Sequence, residues 1–329
     1  MLHETLKSLL NQSYTNFEII VGNDYVKEPL TKKLLCLHDN RLRIINHKKN
    51  LGELENMNFL LNRAKGKYFI WIFDDDPCST SLLRIAEKNI KKFNFPLVIY
   101  PSFKRIFGTE NIKFNSHPNE TGISLSGKNF INSFLTKKIK VLGCCGFYNR
   151  KYLKKIGGVQ KLSKSRYALH SEYLLIMKSG ILNNIIYMPE PLVVTRSHSN
   201  SWSSNNKDLR YFMEAGHNLL NEAFNIFSHA TLKSNFSENM SKITNFILGS
   251  IVVKIIETDT SFCYTKFGCF VRRTKKSFLA KKDKKLSSET SYILTQFARK
   301  IFIFRIKGYI KNYFNSIRFI TIKSLIKVY

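Results

Sequence analysis

The order of predicted elements indicates an α/β fold, in which helices cover both faces of a mainly parallel sheet. Helical and strand-like segments alternate from residue 2 to residue 73, and this alternation is typical of parallel sheets with crossover helices. Strand-like runs are followed at once by polar or acidic residues, as at Gly22-Asn23-Asp24. Of the 329 residues, 43% are hydrophobic, which is enough for a large core.

The individual elements follow from the spacing of the apolar residues. Leu2, Leu6 and Leu9 share one helical face, and a polar run beginning at Asn11 ends that helix. Short apolar runs rich in Ile and Val read as buried strands. The predicted order is a helix over 2–12, a strand over 17–22, a helix over 30–37, a strand over 43–46, a helix over 53–64 and strands over 67–73 and 97–100.

We predict a boundary near residue 205, between a first domain over 1–205 and a helical, strongly basic region over 206–329. Residues 270–329 contain 16 Lys and Arg against only Asp283 and Glu289. Aromatic and basic residues alternate in this tail, which suits a helix lying on an anionic membrane surface. A helical subdomain packed on the first domain is the alternative. Nucleic acid is a third partner, which the absence of a recognised binding motif argues against.

The composition narrows the class of protein. It excludes collagen-like, disulfide-stapled and wholly disordered chains. The formal net charge of +30 favours polyanionic partners, although a Lys-rich coding bias explains part of it. The sequence has six cysteines without a C-x-x-C pair, and it shows neither a secretory leader nor an apolar run of spanning length. These features predict a cytoplasmic protein that is peripheral at the inner face of the cell membrane.

Two polar clusters follow strands and are candidate binding groups. Asn23-Asp24 and Asp74-Asp75-Asp76 both come directly after apolar runs. Because the carboxyl ends of parallel strands meet at one sheet edge, we expect both clusters to face the same cleft. Neighbouring carboxylates suit a hard divalent cation bound to phosphate oxygens, with Asp74 and Asp76 as ligands. A solvated acidic turn is the plain alternative.

Five motifs occur in order along residues 2–205 and carry a family resemblance. They are the segment 4–21 with Asn23-Asp24 behind it, Asn50-Leu51-Gly52 with Asn58, Asp74-Asp75-Asp76, the segment 143–159 that includes Gly157-Gly158, and the segment 189–198 that ends in Arg196-x-His198. Together they resemble the glycosyltransferase family 2 enzymes, which have a GT-A fold. The resemblance implies a GT-A-like sheet with the basic helical region appended to it.

The resemblance also implies a role for each matching residue. Asp74, Asp76 and His198 would hold Mn²⁺ or Mg²⁺ against the donor diphosphate, and Glu172 would accept the proton of the acceptor hydroxyl as general base. The implied nucleotide-binding residues are Asn23, Asp24, Asn50, Gly52, Asn58 and Asp75. The implied acceptor side consists of Gly143, Gly146 and Arg196.

The sequence departs from the family pattern in two places. The family's first strand would precede Met1, so we expect either a start further upstream or a truncated and impaired product. Glu172 stands where the family has an Asp base; a helix-start acid at the N-terminal dipole is the alternative. We interpret Cys144 and Cys145 as small packing residues, since no Cys/His spacing supports a metal site.

These observations predict an inverting, metal-dependent glycosyltransferase. The donor would be a nucleotide-diphosphate sugar, with a UDP-sugar favoured, and the acceptor a hydroxyl of a surface glycan of the lipopolysaccharide, O-antigen or capsule type, free or lipid-linked. Two alternatives stay open: a truncated, weakly active or inactive transferase-like protein, and a basic module that binds membrane or nucleic acid.

Overall fold

The computed structural model of the protein describes residues 1–108, 110–198 and 209–258. The strands in these ranges are β1 (Ile19–Asn23), β2 (Leu42–Asn46), β3 (Tyr68–Phe69), β4 (Val98–Phe107), β5 (Ile123–Leu125), β6 (Phe147–Asn149) and β7 (Ile185–Ser197). The helices are α1 (Leu2–Leu10), α2 (Glu53–Arg63), α3 (Leu82–Lys92), α4 (Gly127–Leu135), α5 (Arg150–Lys155), α6 (Ser171–Ser179), α7 (Leu209–Phe227) and α8 (Phe236–Thr258), with a 3₁₀ turn at Lys233–Asn235.

The strands form a parallel pair and a mixed sheet of five. In the pair, Ile19 of β1 lies opposite Leu42 of β2. The larger sheet has the order β3-β6-β4-β7-β5, in which β4 and β7 are parallel and the other described pairings are antiparallel. The predicted α/β class is confirmed. The larger sheet is mixed because the short strands β5 and β6 run against β3, β4 and β7.

Two predicted elements differ in the structure. Residues 32–36 form consecutive turns, and the helix predicted over 30–37 is absent. The Leu34 amide, which in a helix would donate to the Leu30 carbonyl, donates instead to Thr31 Oγ1 at 3.0 Å. The side chain of Asn46 hydrogen-bonds both the N–H and the C=O of Leu30, at 2.8 and 2.9 Å. Of the strand predicted over 67–73, only Tyr68–Phe69 is ladder-paired, and beyond it the Trp71 amide donates to the Cys144 carbonyl at 3.2 Å.

The largest hydrophobic cluster joins the sheet to the helices that follow it. Tyr100 of β4 and Phe130 of α4 belong to the same buried cluster as Leu219 of α7 and Ile243 of α8. The helices predicted from the spacing over 207–260 are present and pack on α4 and α6. The predicted boundary near residue 205 lies outside the described residues, as does the basic tail. In the ranges that the structure describes, no helix is long and apolar enough to cross a membrane.

A chain of buried hydroxyl groups crosses the centre of the larger sheet. The Ser179 and Tyr100 hydroxyls lie 3.0 Å apart, and the Tyr100 and Tyr148 hydroxyls lie 2.6 Å apart. Tyr148 donates to the Gly143 carbonyl at 2.6 Å. All three side chains are fully buried, so each hydroxyl depends on its neighbour for a hydrogen-bond partner. The chain ties α6 and β4 to the turn that begins at Gly143.

Replacing Tyr148 with Phe should lower the free energy of unfolding by about 1–3 kcal/mol, because it leaves the Gly143 carbonyl and the Tyr100 hydroxyl short of a buried partner. Urea unfolding measures the change. Tyr25→Phe is the matched control, since Tyr25 is 55% exposed, and it should leave stability within about 0.5 kcal/mol of wild type. Equal midpoints for the two variants would contradict the assigned role of the hydroxyl chain.

Candidate active site

The three consecutive aspartates lie in the turn after β3, against the end of β7. Asp76 is buried, with 4% of its surface exposed, and its Oδ1 accepts the Arg196 amide at 2.8 Å. Asp75 Oδ2 lies 3.1 Å from His198 Nε2. The structure therefore brings together two pairs of residues, Asp76 with Arg196 and Asp75 with His198, whose members lie more than a hundred positions apart in the sequence.

Burial and mutual repulsion make this cluster hard to ionise. Burial raises the pKa of Asp76 to about 7; the Arg196 amide opposes this rise, while the charges of Asp75 and Asp74 add to it. Burial, followed by the charge of Asp75, also raises the pKa of Asp74. Carboxyl groups that repel one another in this way would be stabilised as anions by a bound cation.

The chemistry of this cluster fits a divalent cation that is shared with a substrate. In the described part of the chain, no group of three or more His, Cys, Asp or Glu side chains converges as a metal cage. Mg²⁺ is commonly bound through one or two carboxylates, with substrate phosphates and water completing its shell. Asp74 and Asp76 supply such carboxylates, whereas Asp75 and His198 contact each other.

Arg196 lies against the acidic cluster and links it to the first helix. Its Nη2 donates to Glu4 Oε2 at 2.9 Å, its Nη1 to the Gly108 carbonyl at 2.7 Å and its Nε to the Asp75 carbonyl at 3.3 Å. The resemblance implies an acceptor-side role for Arg196; in the structure its guanidinium braces the turn that carries the aspartates.

Asn23 and Asp24, at the end of β1, hold the loops around them. Asn23 Nδ2 donates to the Glu28 carbonyl and to Asn46 Oδ1, both at 2.8 Å. The Asp24 carboxylate accepts the amides of Leu51 and Gly52, at 2.5 and 2.7 Å. Asp24 thus fixes the loop that opens α2.

The other residues implied at the nucleotide also make protein contacts. Asn50 Nδ2 donates to the Asp24 carbonyl at 2.8 Å. Gly52 has φ +86°, and a Cβ there would lie 2.8 Å from the Arg166 carbonyl oxygen, so this position requires glycine. Asn58 bonds both the N–H and the C=O of Val159, at 3.0 and 2.8 Å. These contacts join the loops around α2 to the segment 157–166.

Glu172 lies in the first turn of α6, directly against the turn that begins at Gly143. A Cβ at Gly143 would come within 2.0 Å of the Glu172 carbonyl oxygen. Burial raises the pKa of Glu172 to about 7, and the charge of Glu53 adds to the rise, whereas the charge of Arg105 and the Gly143 amide oppose it. A carboxyl group with this pKa exists in both protonation states near neutral pH.

The turn at Cys144 and Cys145 is within reach of the charges of both Glu172 and Asp76. Burial raises the pKa of the Cys145 thiol, and the charges of Asp76 and Glu172 both add to the rise. Cys144 is affected in the same direction by burial and by Glu172. Both thiols are fully protonated and buried among core residues, as expected of packing residues.

Three residues of the site carry no local signal that the sequence analysis used. Glu4 is 192 positions from Arg196, the residue that it pairs with. Arg105 lies on β4, and its charge lowers the pKa of Glu172. Two signals were available: Glu4 opens the motif segment 4–21, and Glu53 directly follows the motif glycine Gly52.

Gly143→Ala should abolish the close packing of this turn on α6 and destabilise the fold by about 1–3 kcal/mol or more, with displacement of Glu172. Thermal unfolding measures this loss of stability. Gly249→Ala is the control, since a Cβ at Gly249, inside α8, meets nothing within 4 Å, and alanine favours helix by about 1 kcal/mol over glycine. A Gly143→Ala variant as stable as wild type would contradict the described contact.

Comparison with known proteins agrees with this site. Residues 1–157 match the sequence model of glycosyl transferase family 2. Over 104 residues the chain is 32% identical to a glycosyltransferase of Rickettsia bellii, covering 31% of this chain and 15% of that protein. Over 94 residues it is 35% identical to a glycosyltransferase of Haemophilus influenzae, covering 27% of this chain and 29% of that protein. The matched segments thus span less than a third of these relatives' length.

The fold also resembles that of solved structures. The crystal structure of S. aureus TarS 1–349 in complex with UDP superposes with a TM-score of 0.51 at 16% identity, covering 93% of this chain and 88% of that one. A second structure of TarS 1–349 gives the same TM-score and identity. These matches show that residues 1–157 are similar to glycosyl transferase family 2 and that the fold is similar to that of TarS.

Proposed function

We propose that the protein transfers a sugar from a nucleotide-diphosphate sugar, with a UDP-sugar favoured, to an acceptor hydroxyl with inversion at the anomeric carbon. One observation carries the proposal: the Cys144-Cys145 turn, which begins at Gly143 against the backbone of Glu172, is near enough to both Asp76 and Glu172 that both charges raise the pKa of Cys145. A candidate diphosphate site and a candidate general base therefore lie near a single turn. The TarS structure that holds UDP supports the choice of nucleotide.

Glu172 would act as the general base in a single displacement. The acceptor oxygen forms a bond to the anomeric carbon from the face opposite the donor diphosphate, and Glu172 takes the hydroxyl proton. The bond between that carbon and the diphosphate oxygen breaks, and UDP leaves with the electron pair. One carboxylate is sufficient, because UDP leaves as an anion and needs no carboxylic acid to protonate it, whereas the leaving group in an inverting hydrolase does.

Asp74 and Asp76 would hold Mn²⁺ or Mg²⁺. His198 would stay next to this pair through its contact with Asp75. When bound, such a cation neutralises negative charge on the donor diphosphate and on the departing UDP. Arg196 keeps the acidic turn in place through its amide contact to Asp76 and its ion pair with Glu4.

The acceptor would be a hydroxyl of a surface glycan of the lipopolysaccharide, O-antigen or capsule type. The net charge of +30 supports an acceptor or a carrier at an anionic membrane surface, which the basic tail would contact. This part of the proposal follows from the family resemblance and from charge.

Calorimetric titration with UDP should show binding that strengthens when Mn²⁺ is added. Asp74→Asn and Asp76→Asn should each remove the Mn²⁺-dependent part of the affinity, because the ligand charge that offsets the cation is halved. Glu238→Gln is the control, since Glu238 is an exposed acid on α8 whose carboxylate pairs with Lys242. Binding of UDP that is equally strong with and without metal, in wild type and variants, would refute the metal role.

Glu172→Gln should lower kcat about 10²-fold to 10⁴-fold and leave UDP affinity unchanged, because only the proton transfer is lost. Turnover is measured as UDP release from a panel of UDP-sugars, with water as the acceptor. In wild type, kcat should rise with pH through a midpoint near 7, since the base works only when deprotonated and its pKa is about 7. Full turnover in Glu172→Gln would exclude Glu172 as the base.

A further inference from the structure

We propose that Glu53 is a positioning residue for Glu172. It anchors the segment that leads into α6, and its carboxylate adds a negative charge to the surroundings of Glu172. This inference deepens the proposed function and rests on it. Glu53 is the first residue of α2, directly after Gly52, and it belongs to none of the roles assigned above.

Glu53 joins the start of α2 to the segment before α6. Its Oε2 accepts the Ala168 amide at 3.0 Å. Beside it, the Leu54 amide donates to the Arg166 carbonyl at 3.4 Å, and Arg166 Nη2 donates to the Asn50 carbonyl at 3.0 Å. Three contacts therefore hold residues 166–168 on residues 50–54, and Ala168 is the last of these before α6.

The entry into α6 is strained and depends on such anchors. His170 has φ +58°, a left-handed conformation that costs a non-glycine residue free energy and persists only where neighbouring contacts impose it. On one side the Ser171 hydroxyl donates to the Gln160 carbonyl at 2.6 Å, and on the other Glu53 holds Ala168. Together these contacts decide where Glu172 points.

The charge of Glu53 also affects the ionisation of Glu172. The ionisable groups that face Glu172 are Glu53 on α2, Arg105 on β4, Tyr173 on α6 and the thiols of Cys144 and Cys145. Of these, Glu53 raises the pKa of Glu172, whereas Arg105 lowers it. Burial raises the pKa of Glu53 as well, but the Ala168 amide stabilises its anion. The repulsion between the two carboxylates is one of the causes that raise the pKa of Glu172.

Burial and the charge of Glu53 together give a base that matches neutral pH. A general base is most effective when its pKa lies near the working pH, because it is then both deprotonated and strong. Without the charge of Glu53, Glu172 would ionise at lower pH and would be a weaker acceptor of the hydroxyl proton.

The test measures the pKa of Glu172 without using activity. The full chain is labelled with [5-¹³C]glutamate, the Glu172 signal is assigned as the one missing in Glu172→Gln, and its chemical shift is followed against pH. Glu53→Gln should lower the midpoint by on the order of one pH unit, since glutamine keeps an oxygen for the Ala168 amide but removes the charge. Glu55→Gln, an exposed acid in the same helical turn, should leave it unchanged.

A midpoint in Glu53→Gln equal to that of wild type would overturn the charge effect, whatever the fate of the proposed function. Turnover tests the anchor: Glu53→Ala should lower kcat several-fold more than Glu53→Gln, because only alanine frees Ala168. Equal kcat values for the two variants would overturn the anchoring role. The proposed function fails separately if Glu172→Gln retains full turnover. In that case a shifted Glu172 midpoint in Glu53→Gln would still support the charge effect.

Discussion

The backbone of Gly143 lies directly against the first turn of α6, and the geometry of the site depends on this contact. No side chain fits between them, because a Cβ at this position would lie 2.0 Å from the Glu172 carbonyl oxygen. The Tyr148 hydroxyl holds the Gly143 carbonyl from within the core, while the Gly143 amide stabilises the Glu172 carboxylate. Since the same turn continues to Cys145, it sets the carboxyl group of Glu172 in a defined relation to Asp76.

The protein has a net charge of +30, yet it gathers carboxyl groups around this turn. Their burial and mutual repulsion raise the pKa of Asp76 and of Glu172 to about 7. Such an arrangement costs folding free energy, because deprotonated forms are disfavoured inside the protein. Asp76 in this state is suited to a cation that is bound to a diphosphate. Glu172 is suited to an acceptor hydroxyl that gives up its proton.

Several polar residues of the sequence motifs shape loops through their side chains. Asp24 fixes the loop that opens α2 through two backbone amides, and Asn58 fixes the turn at Val159 through two further hydrogen bonds. A sequence motif identifies such residues as important, but it does not distinguish contact with a ligand from support of the loop that contacts it. For these residues the structure shows the support.

Local patterns in the sequence determined the alternation of helices and strands, the acidic turn after β3, and the family to which the first 157 residues are similar, because apolar spacing and short motifs are properties of neighbouring residues. They did not determine the turns at 32–36, beside which Asn46 takes the backbone groups of Leu30, or the mixed sheet. Only the tertiary structure decided that Arg196 pairs with Glu4 and that the charge of Glu53 acts on Glu172, since these interactions join residues more than a hundred positions apart and depend on how the helices pack on the sheet.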